Sequence, residues 1–300
     1  MAVAGYSVGV YEGVCQVIPV ILTHRGNQDY VRTAIEQAQL RNQRVILIGD
    51  EGNMAAEHYL NADYWEGAAE FAKVYKHMSH NPEPQELYCF QIYFVLRDFC
   101  RRNHIERLFT MDSDVMLYCD VTEYEKTLGD YDLAINWCER QEPYRWSACL
   151  HNSFWKYWAL AVMCDLITGT YQSEPLMNKL EQKWAWHEEN NVPGGVCDMT
   201  LLHFFRQEMN AVNLSRVRAT DGYINPSVWD DNINQAENYT EGEYWEWTAL
   251  GGGKVIWRGS ELKGRTAPFY LERGFPPEYI RANALHFQGQ AKRLMEEYRG

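Results

Sequence analysis

Ile105-Glu-Arg-Leu-Phe-Thr-Met-Asp112-Ser113-Asp114-Val115-Met-Leu117 is the stretch on which the reading of the fold turns. Residues 107–111 read as a short buried strand, and it ends in two carboxylates two positions apart. In open α/β sheets, ligands gather just outside the carboxyl ends of the strands. If the strand runs on through the pair, positions i and i+2 share a face. Two carboxylates on one face repel unless a cation sits between them or one takes a proton. Oxygen ligands suit a hard divalent ion, Mn²⁺ or Mg²⁺, and such an ion would neutralise the phosphate oxygens of a substrate. The plainer alternative is a solvated turn after the strand.

Upstream, residues 17–23 (Val-Ile-Pro-Val-Ile-Leu-Thr) read as a buried strand. Residues 28–41 follow with apolar side chains at helical spacing, and 45–48 form a second strand before the turn-rich 49–53. Strand–helix–strand favours a parallel sheet and an α/β fold. Residues 59–77 read as helical, Asn81-Pro82-Glu83-Pro84 as a break, and 85–103 as a long helix. Downstream, a strand is expected over 132–137 and helices over 155–167, 174–189, 198–207 and 291–298. Loops are expected over 220–265, with one strand near 254–258. No repeat or Pro/Gly/Ser-rich linker divides the chain, so residues 1–300 are expected to form a single domain. Within it, 1–121 would be a nucleotide-binding half and 122–300 an acceptor-binding half.

Of the 300 residues, 46% are hydrophobic, enough for a large core, and the formal net charge is −13. That charge argues against a nucleic-acid partner, because phosphate backbones are held by clustered Lys and Arg. No run of about 18 apolar residues marks a membrane span. The apolar start lacks a basic leader region, so no secretory signal is expected. Eight cysteines without a C-x-x-C pair read as buried, reduced thiols of a cytoplasmic protein. The sequons at Asn213 and Asn238 are then accidental.

A second cluster closes the chain: Leu285-His286-Phe287-Gln288-Gly289-Gln290-Ala291-Lys292. A neutral imidazole can complete a metal site, although a lone His is more often structural. Glycine lets a backbone approach a phosphate, and Lys supplies a point charge for one.

The βαβ start, the strand leading to Asp112-Ser113-Asp114, and His286-x-x-Gly289-x-x-Lys292 together resemble a GT-A-fold glycosyltransferase. The ending is most similar to the retaining, glycogenin-like and bacterial galactosyltransferase-like group. The resemblance implies a Rossmann-like, mixed but mainly parallel sheet flanked by helices. It implies metal-dependent transfer of a hexose from a nucleoside-diphosphate sugar to a glycan, glycolipid or other hydroxyl acceptor. Asp112, Asp114 and His286 would be the ligands of Mn²⁺ or Mg²⁺. Gly289 and Lys292 would face the diphosphate, and Ser113 would bind the nucleotide sugar. Thr23, His24 and Arg25 after the first strand, and Asp50 after the second, would hold the base and ribose. The chain departs from the group at Arg293-Leu294, where Pro-Trp is usual.

Asp50 in Gly-Asp-Glu-Gly is otherwise a turn former. Gly194 and Gly195 resemble the loop bordering the sugar and acceptor. Asp198 after them would orient sugar hydroxyls, act as the general base of an inverting reaction, or cap a helix. Met199 leaves the stereochemistry open. Some of the aromatics at 137, 144, 146, 155, 158, 223, 229, 245, 247 and 257 would line an acceptor groove, the majority the core. Two readings compete. One is a haloacid-dehalogenase-type phosphohydrolase with Asp112 as nucleophile and Asp114 as acid/base. The other is a non-catalytic sugar- or nucleotide-binding module.

Overall fold

The computed structural model describes residues 17–53, 55, 57–137, 143–215, 227–229, 256–260, 265–271 and 279–300. A seven-stranded sheet carries the fold. Its strands are β1 (Val20–Thr23), β2 (Val45–Gly49), β3 (His58–Leu60), β4 (Arg107–Asp112), β6 (Leu133–Trp137), β7 (Ala148–Lys156) and β8 (Ala211–Asn213). They lie in the order β3-β2-β1-β4-β7-β6-β8. The β3-β2-β1-β4 block is parallel, and so is the β6–β8 pair, whereas β7 runs antiparallel to both β4 and β6. The sheet is therefore mixed and mainly parallel, as the sequence leads one to expect.

A second sheet joins β5 (Val115–Leu117) to strands from the end of the chain. Its order is β10 (Ile256–Ser260), β11 (Arg265–Leu271), β12 (Tyr279–His286), β5, and β9 (Ser227–Trp229) pairs with β12.

The large sheet is buried on both faces, as parallel sheets are. Val20 and Leu22 point into one apolar cluster with Val31, Ala34 and Ala38 of α1 (Asp29–Gln39). Ile21 points into the other, with Phe90, Phe94 and Phe99 of α3 (Glu83–Arg102) and Leu160, Met163 and Ile167 of α5 (Tyr157–Gln172). Four more helices complete the set among the described residues: α2 (Glu66–Ala72), α4 (Val121–Glu125), α6 (Glu174–Glu189) and α7 (Asp198–Phe205). None is long and apolar enough to cross a membrane. Cys89, Cys100, Cys119, Cys149, Cys164 and Cys197 are free thiols. Cys15, Cys138 and the sequon at Asn238 lie outside the described residues.

The structure corrects the sequence reading in five places. Residues 59–77 are not one helix: they hold the end of β3, a 3₁₀ helix (Asn61–Tyr64) and the short α2. His58–Leu60 completes the parallel block on β2, and the Asn61 amide is drawn to the His24 carbonyl at 2.7 Å. The break at 81–84 is a helix start, since Pro82 caps α3 and Pro84 sits in its first turn, where a missing N–H costs nothing. The expected helix from 155 is preceded by β7, whose His151-Asn152-Ser153 interrupts the apolar pattern. Asn152 and Ser153 are bonded internally: Trp155 Nε1 donates to Ser153 Oγ at 2.8 Å, and Asn136 Nδ2 to Asn152 Oδ1 at 2.6 Å. The closing helix is 3₁₀, over Gly289–Tyr298. The carboxylate pair does not lie on a continuing strand either. β4 ends at Asp112, Ser113 and Asp114 form a turn, and the chain then enters the second sheet. The strand expected near 254–258 appears as β10, two residues later, β9 is a second strand where only loops were expected over 220–265, and residues 220–226, 230–255 and 261–264 lie outside the described residues.

Candidate active site at the carboxyl edge of the sheet

Parallel pairing sets Thr23 beside Asp112, so β1 and β4 end side by side. β2 ends one strand over, at Gly49, and delivers Asp50 to the same edge. The turn at Ser113–Asp114 then sends the chain into β5, which pairs antiparallel with β12. In that register His286 lies opposite Val115, and the Phe287 N–H donates to the Asp114 carbonyl at 2.9 Å. This pairing brings the end of the chain back to the carboxylates. One ligand atom each from Asp112, Asp114 and His286 lies within 4.8 Å of the others.

The electrostatics of this cluster are divided. Burial, then the neighbouring Asp114, push the Asp112 carboxyl up to about 6. Burial acts on Asp114 in the same sense, but His286 and Lys292 outweigh it and hold Asp114 well below the usual carboxylate range. His286 Nε2 is 3.3 Å from Asp114 Oδ1, and Lys292 Nζ is 3.1 Å from Oδ2. Burial pulls the Lys292 ammonium down, yet Asp114 prevails and raises it. Lys292 also lies over the Tyr30 ring, 5.1 Å from its centre. The His286 ring stacks on His151 of β7 at 4.4 Å. Gly289 opens the 3₁₀ helix in a left-handed conformation, three residues before Lys292. The donor set fits a hard divalent cation: two carboxylates and one imidazole at bonding separation, with a lysine already neutralising one carboxylate.

The loop after β1 is internally tied. His24 lies between the Ser113 hydroxyl at 2.9 Å and Gln28 Oε1 at 2.5 Å. Gln28 Oε1 can only accept, which puts the ring proton on Nε2, and burial keeps the ring below its ordinary value. Asp50 accepts from the Gly26 N–H at 2.9 Å and from Asn61 Nδ2 at 3.1 Å. Burial pushes the Asp50 carboxyl up, but these hydrogen bonds prevail and lower it. The turn-forming reading of Asp50 is therefore real, whatever else the residue binds. Arg25 is exposed and lies over two rings, Trp65 at 5.4 Å and Tyr88 at 5.2 Å.

Gly194 and Gly195 are held against the chain at 78–80. The His80 N–H donates to the Gly194 carbonyl at 2.9 Å, and the Val196 N–H to the Met78 carbonyl at 2.7 Å. Gly195 has φ +139°, and a side chain there would collide with the Met78 carbonyl and lie 2.7 Å from Ser79 Cα. Close backbone approach accounts for this glycine without a ligand. Gly195→Ala is expected to destabilise the fold by about 2–3 kcal/mol, measured by chemical denaturation, since both backbone strain and a buried clash are incurred. Wild-type stability in that variant would contradict the packing described.

Asp198 is not the cap of α7: Cys197 holds that position, and Thr200 closes the capping box. Asp198 is the first helical residue, buried, and accepts from the Tyr93 hydroxyl at 3.3 Å. Burial, then Glu86 and Asp112, push its carboxyl up to about 7. Of the aromatics, Trp155 and Trp229 are core residues, and Trp137, Tyr144 and Trp146 are half-buried. Positions 223, 245 and 247, and the side chain of 257, lie outside the described residues. The sequence reading passed over Glu86, Tyr88, Trp65, Tyr30 and His151. Their signal was weak: Glu86 and Tyr88 fall in the first turns of the helix feeding the D-x-D strand, where polar and aromatic residues read as an ordinary amphipathic face.

No family model and no curated protein matches the chain. Solved structures resemble it at low similarity. Mouse xyloside xylosyltransferase 1, in its apo form, is 12% identical with a TM-score of 0.42, over 64% of this chain and 82% of that one. The galactosyltransferase LgtC, in complex with donor and acceptor sugar analogues, is 14% identical with a TM-score of 0.33, over 65% and 73%. The glycosyltransferase GlyE of Streptococcus pneumoniae is 15% identical with a TM-score of 0.32, over 66% of this chain and 45% of that one. Likenesses of this size carry no information about substrate, so the chemistry has to come from the site.

Proposed function

We propose that this chain is a metal-dependent glycosyltransferase of hexosyltransferase type, moving a sugar from a nucleoside-diphosphate donor to the hydroxyl of a glycan or glycolipid. One observation carries the reading: Asp112, Asp114 and His286, from two distant parts of the chain, converge at the carboxyl edge of the sheet with Lys292 beside them. In this reading, residues 1–121 supply the nucleotide side and 122–300 the acceptor side, with the last segment returning to the donor. Six free thiols among the described residues support a reducing, cytoplasmic setting.

Asp112, Asp114 and His286 would hold Mn²⁺ or Mg²⁺, which when bound supplies charge neutralisation to the leaving diphosphate. Lys292, beside Asp114, would offer its ammonium to a phosphate oxygen, and Gly289 would let the backbone come close. Ser113 fixes the turn through His24 and so sets the spacing of the two carboxylates. Thr23, His24 and Arg25 border the nucleoside, Asp50 holds the loop that carries them, and the ring pair under Arg25 offers a flat surface. Gly194 and Gly195 carry the chain tightly into Asp198. That carboxyl, protonated near neutrality and ionised above it, orients sugar hydroxyls or takes the acceptor proton.

A thermal-shift screen of UDP, GDP, ADP, CDP and dTDP with and without Mn²⁺ tests the reading. One base is expected to raise Tm by several degrees, and only with the metal, because a ligand specific to the folded state stabilises by mass action. Turnover of phosphate monoesters in place of nucleotide sugars would favour the phosphohydrolase instead.

A further inference from the structure

His286 reaches the carboxylates from the second sheet, and its backbone is fixed there. It lies opposite Val115 of β5, and the next residue, Phe287, donates its N–H to the Asp114 carbonyl at 2.9 Å. That register places the backbone but leaves the side-chain torsions open. The second torsion of a histidine is broad, without the sharp staggered wells of an aliphatic chain. The lone pair of an imidazole nitrogen lies in the ring plane. The tilt of the ring therefore decides whether that nitrogen aims at an ion shared with Asp112 and Asp114 or past it.

His151 of β7 controls this tilt. β7 pairs with β4 so that Asn152 stands opposite Met111, and one step further along the same register brings His151 level with Asp112. The His151 ring lies flat against the His286 ring, with centres 4.4 Å apart and planes 19° apart. Both residues are only 6% exposed, so the stack is buried. The same imidazole of His286 holds Nε2 3.3 Å from Asp114 Oδ1. At face-to-face contact there is no space between the two rings, and turning His286 out of its plane would drive its edge into His151. With a small residue at 151 the imidazole would gain a void to tilt into.

The nitrogen does not matter equally to every divalent ion. Mg²⁺ is held chiefly by carboxylates and retained water, whereas the affinity of sites containing nitrogen rises from Mn²⁺ to Co²⁺. We infer that His151 is a positioning residue of the metal centre: its ring holds the His286 imidazole in the plane that aims a nitrogen at the ion, and so biases the site towards Mn²⁺ and Co²⁺ over Mg²⁺. This rests on the reading of Asp112, Asp114 and His286 as the ligands.

Calorimetric titration of the full chain with Mg²⁺, Mn²⁺ or Co²⁺ alone tests it. His151→Ala is expected to lose ~10-fold in affinity for Mn²⁺ and ~30-fold for Co²⁺, the scale on which groups behind a ligand act, but no more than about twofold for Mg²⁺. His151→Phe keeps a flat wall and is expected to stay within about threefold of wild type for every ion. His286→Ala removes the nitrogen itself. In that background His151→Ala should change Mn²⁺ affinity by less than about twofold, because nothing is left to position. Four results would overturn the inference alone: wild-type Mn²⁺ and Co²⁺ affinity in His151→Ala, equal losses for all the ions, a Phe variant as impaired as the Ala variant, or the same His151→Ala loss with and without His286. Failure of wild type to bind any of these ions, or wild-type Mn²⁺ affinity in His286→Ala, would overturn the ligand reading itself, and this inference with it.

Discussion

Asp114→Asn is expected to cut kcat/KM for sugar transfer by ~10³-fold, the scale on which removal of one preorganised electrostatic group acts on a charged transition state. Asp114 sits at the centre of the cluster. It faces His286 at 3.3 Å and Lys292 at 3.1 Å, and it is the carboxylate that stays ionised. Asn keeps the shape but gives up the charge, so the metal loses one anionic ligand. The fold is expected to lose about 1–2 kcal/mol as well, because His286 and Lys292 lose the carboxylate they contact directly. The loss stays below that of a fully buried pair, since the Lys292 side chain is 33% exposed. The sign follows from the lowered Asp114: its stabilisation is complete above the ordinary carboxylate range near pH 4 and disappears as pH falls through its own, lower value. Steady-state kinetics over a Mn²⁺ series and urea denaturation at pH 7 measure the two effects. An Asp114→Asn enzyme with wild-type turnover at ordinary Mn²⁺ concentrations would contradict the role given to this carboxylate.

Asp198→Asn is expected to separate activity from stability. In wild type, burial and the nearby Glu86 and Asp112 push Asp198 up to about 7, against about 4 in the unfolded chain. A carboxyl raised on folding stabilises the folded state only while it keeps its proton. Its burden therefore grows as pH rises from the unfolded value through about 7 and is complete above it. Asn keeps an acceptor for the Tyr93 hydroxyl and removes the buried charge. Asp198→Asn should therefore match wild type only near pH 4 and below, and be more stable by roughly 2 kcal/mol at pH 5.5, where the unfolded carboxyl has already ionised, and by roughly 4 kcal/mol at pH 8.5. Activity should move the other way, falling by ~10²–10⁴-fold, the usual worth of a positioned acid–base group. Wild-type kcat/KM should climb through pH 7, the climb being absent in the variant. Denaturation midpoints at the two pH values decide the stability half. A variant no better than wild type at pH 8.5 would show that Asp198 is not strained by its surroundings.

Much of the fold could be read from residues 17–53 and 105–114, because a buried parallel block announces itself as apolar runs with a helix between them. β7 could not be read that way. Its middle is His151-Asn152-Ser153, and the polarity of Asn152 and Ser153 is satisfied inside the protein by Asn136 and Trp155, a partnership visible only once the strands pair. The site divides similarly. The residue types at Asp112, Asp114, His286, Gly289 and Lys292 were legible as ligands for a cation and a diphosphate. Their convergence depends on the antiparallel register of β5 and β12, which sets His286 opposite Val115 across a long span of chain. Asp198 looked like a helix cap because it opens a helix, yet Cys197 takes that place and frees the carboxylate. Glu86 gave no signal, because a glutamate in the first turn of a helix is ordinary until its burial is known.

The metal is the centre of this reading, and crystals soaked with Mn²⁺ and the nucleoside diphosphate selected by the thermal screen would locate it. Anomalous scattering at the manganese edge is expected to give a single peak bonded to Asp112, Asp114 and His286, with Lys292 turned from Asp114 to a phosphate oxygen. A nucleotide bound with no anomalous peak between these three residues, or a peak at some other place on the chain, would contradict it.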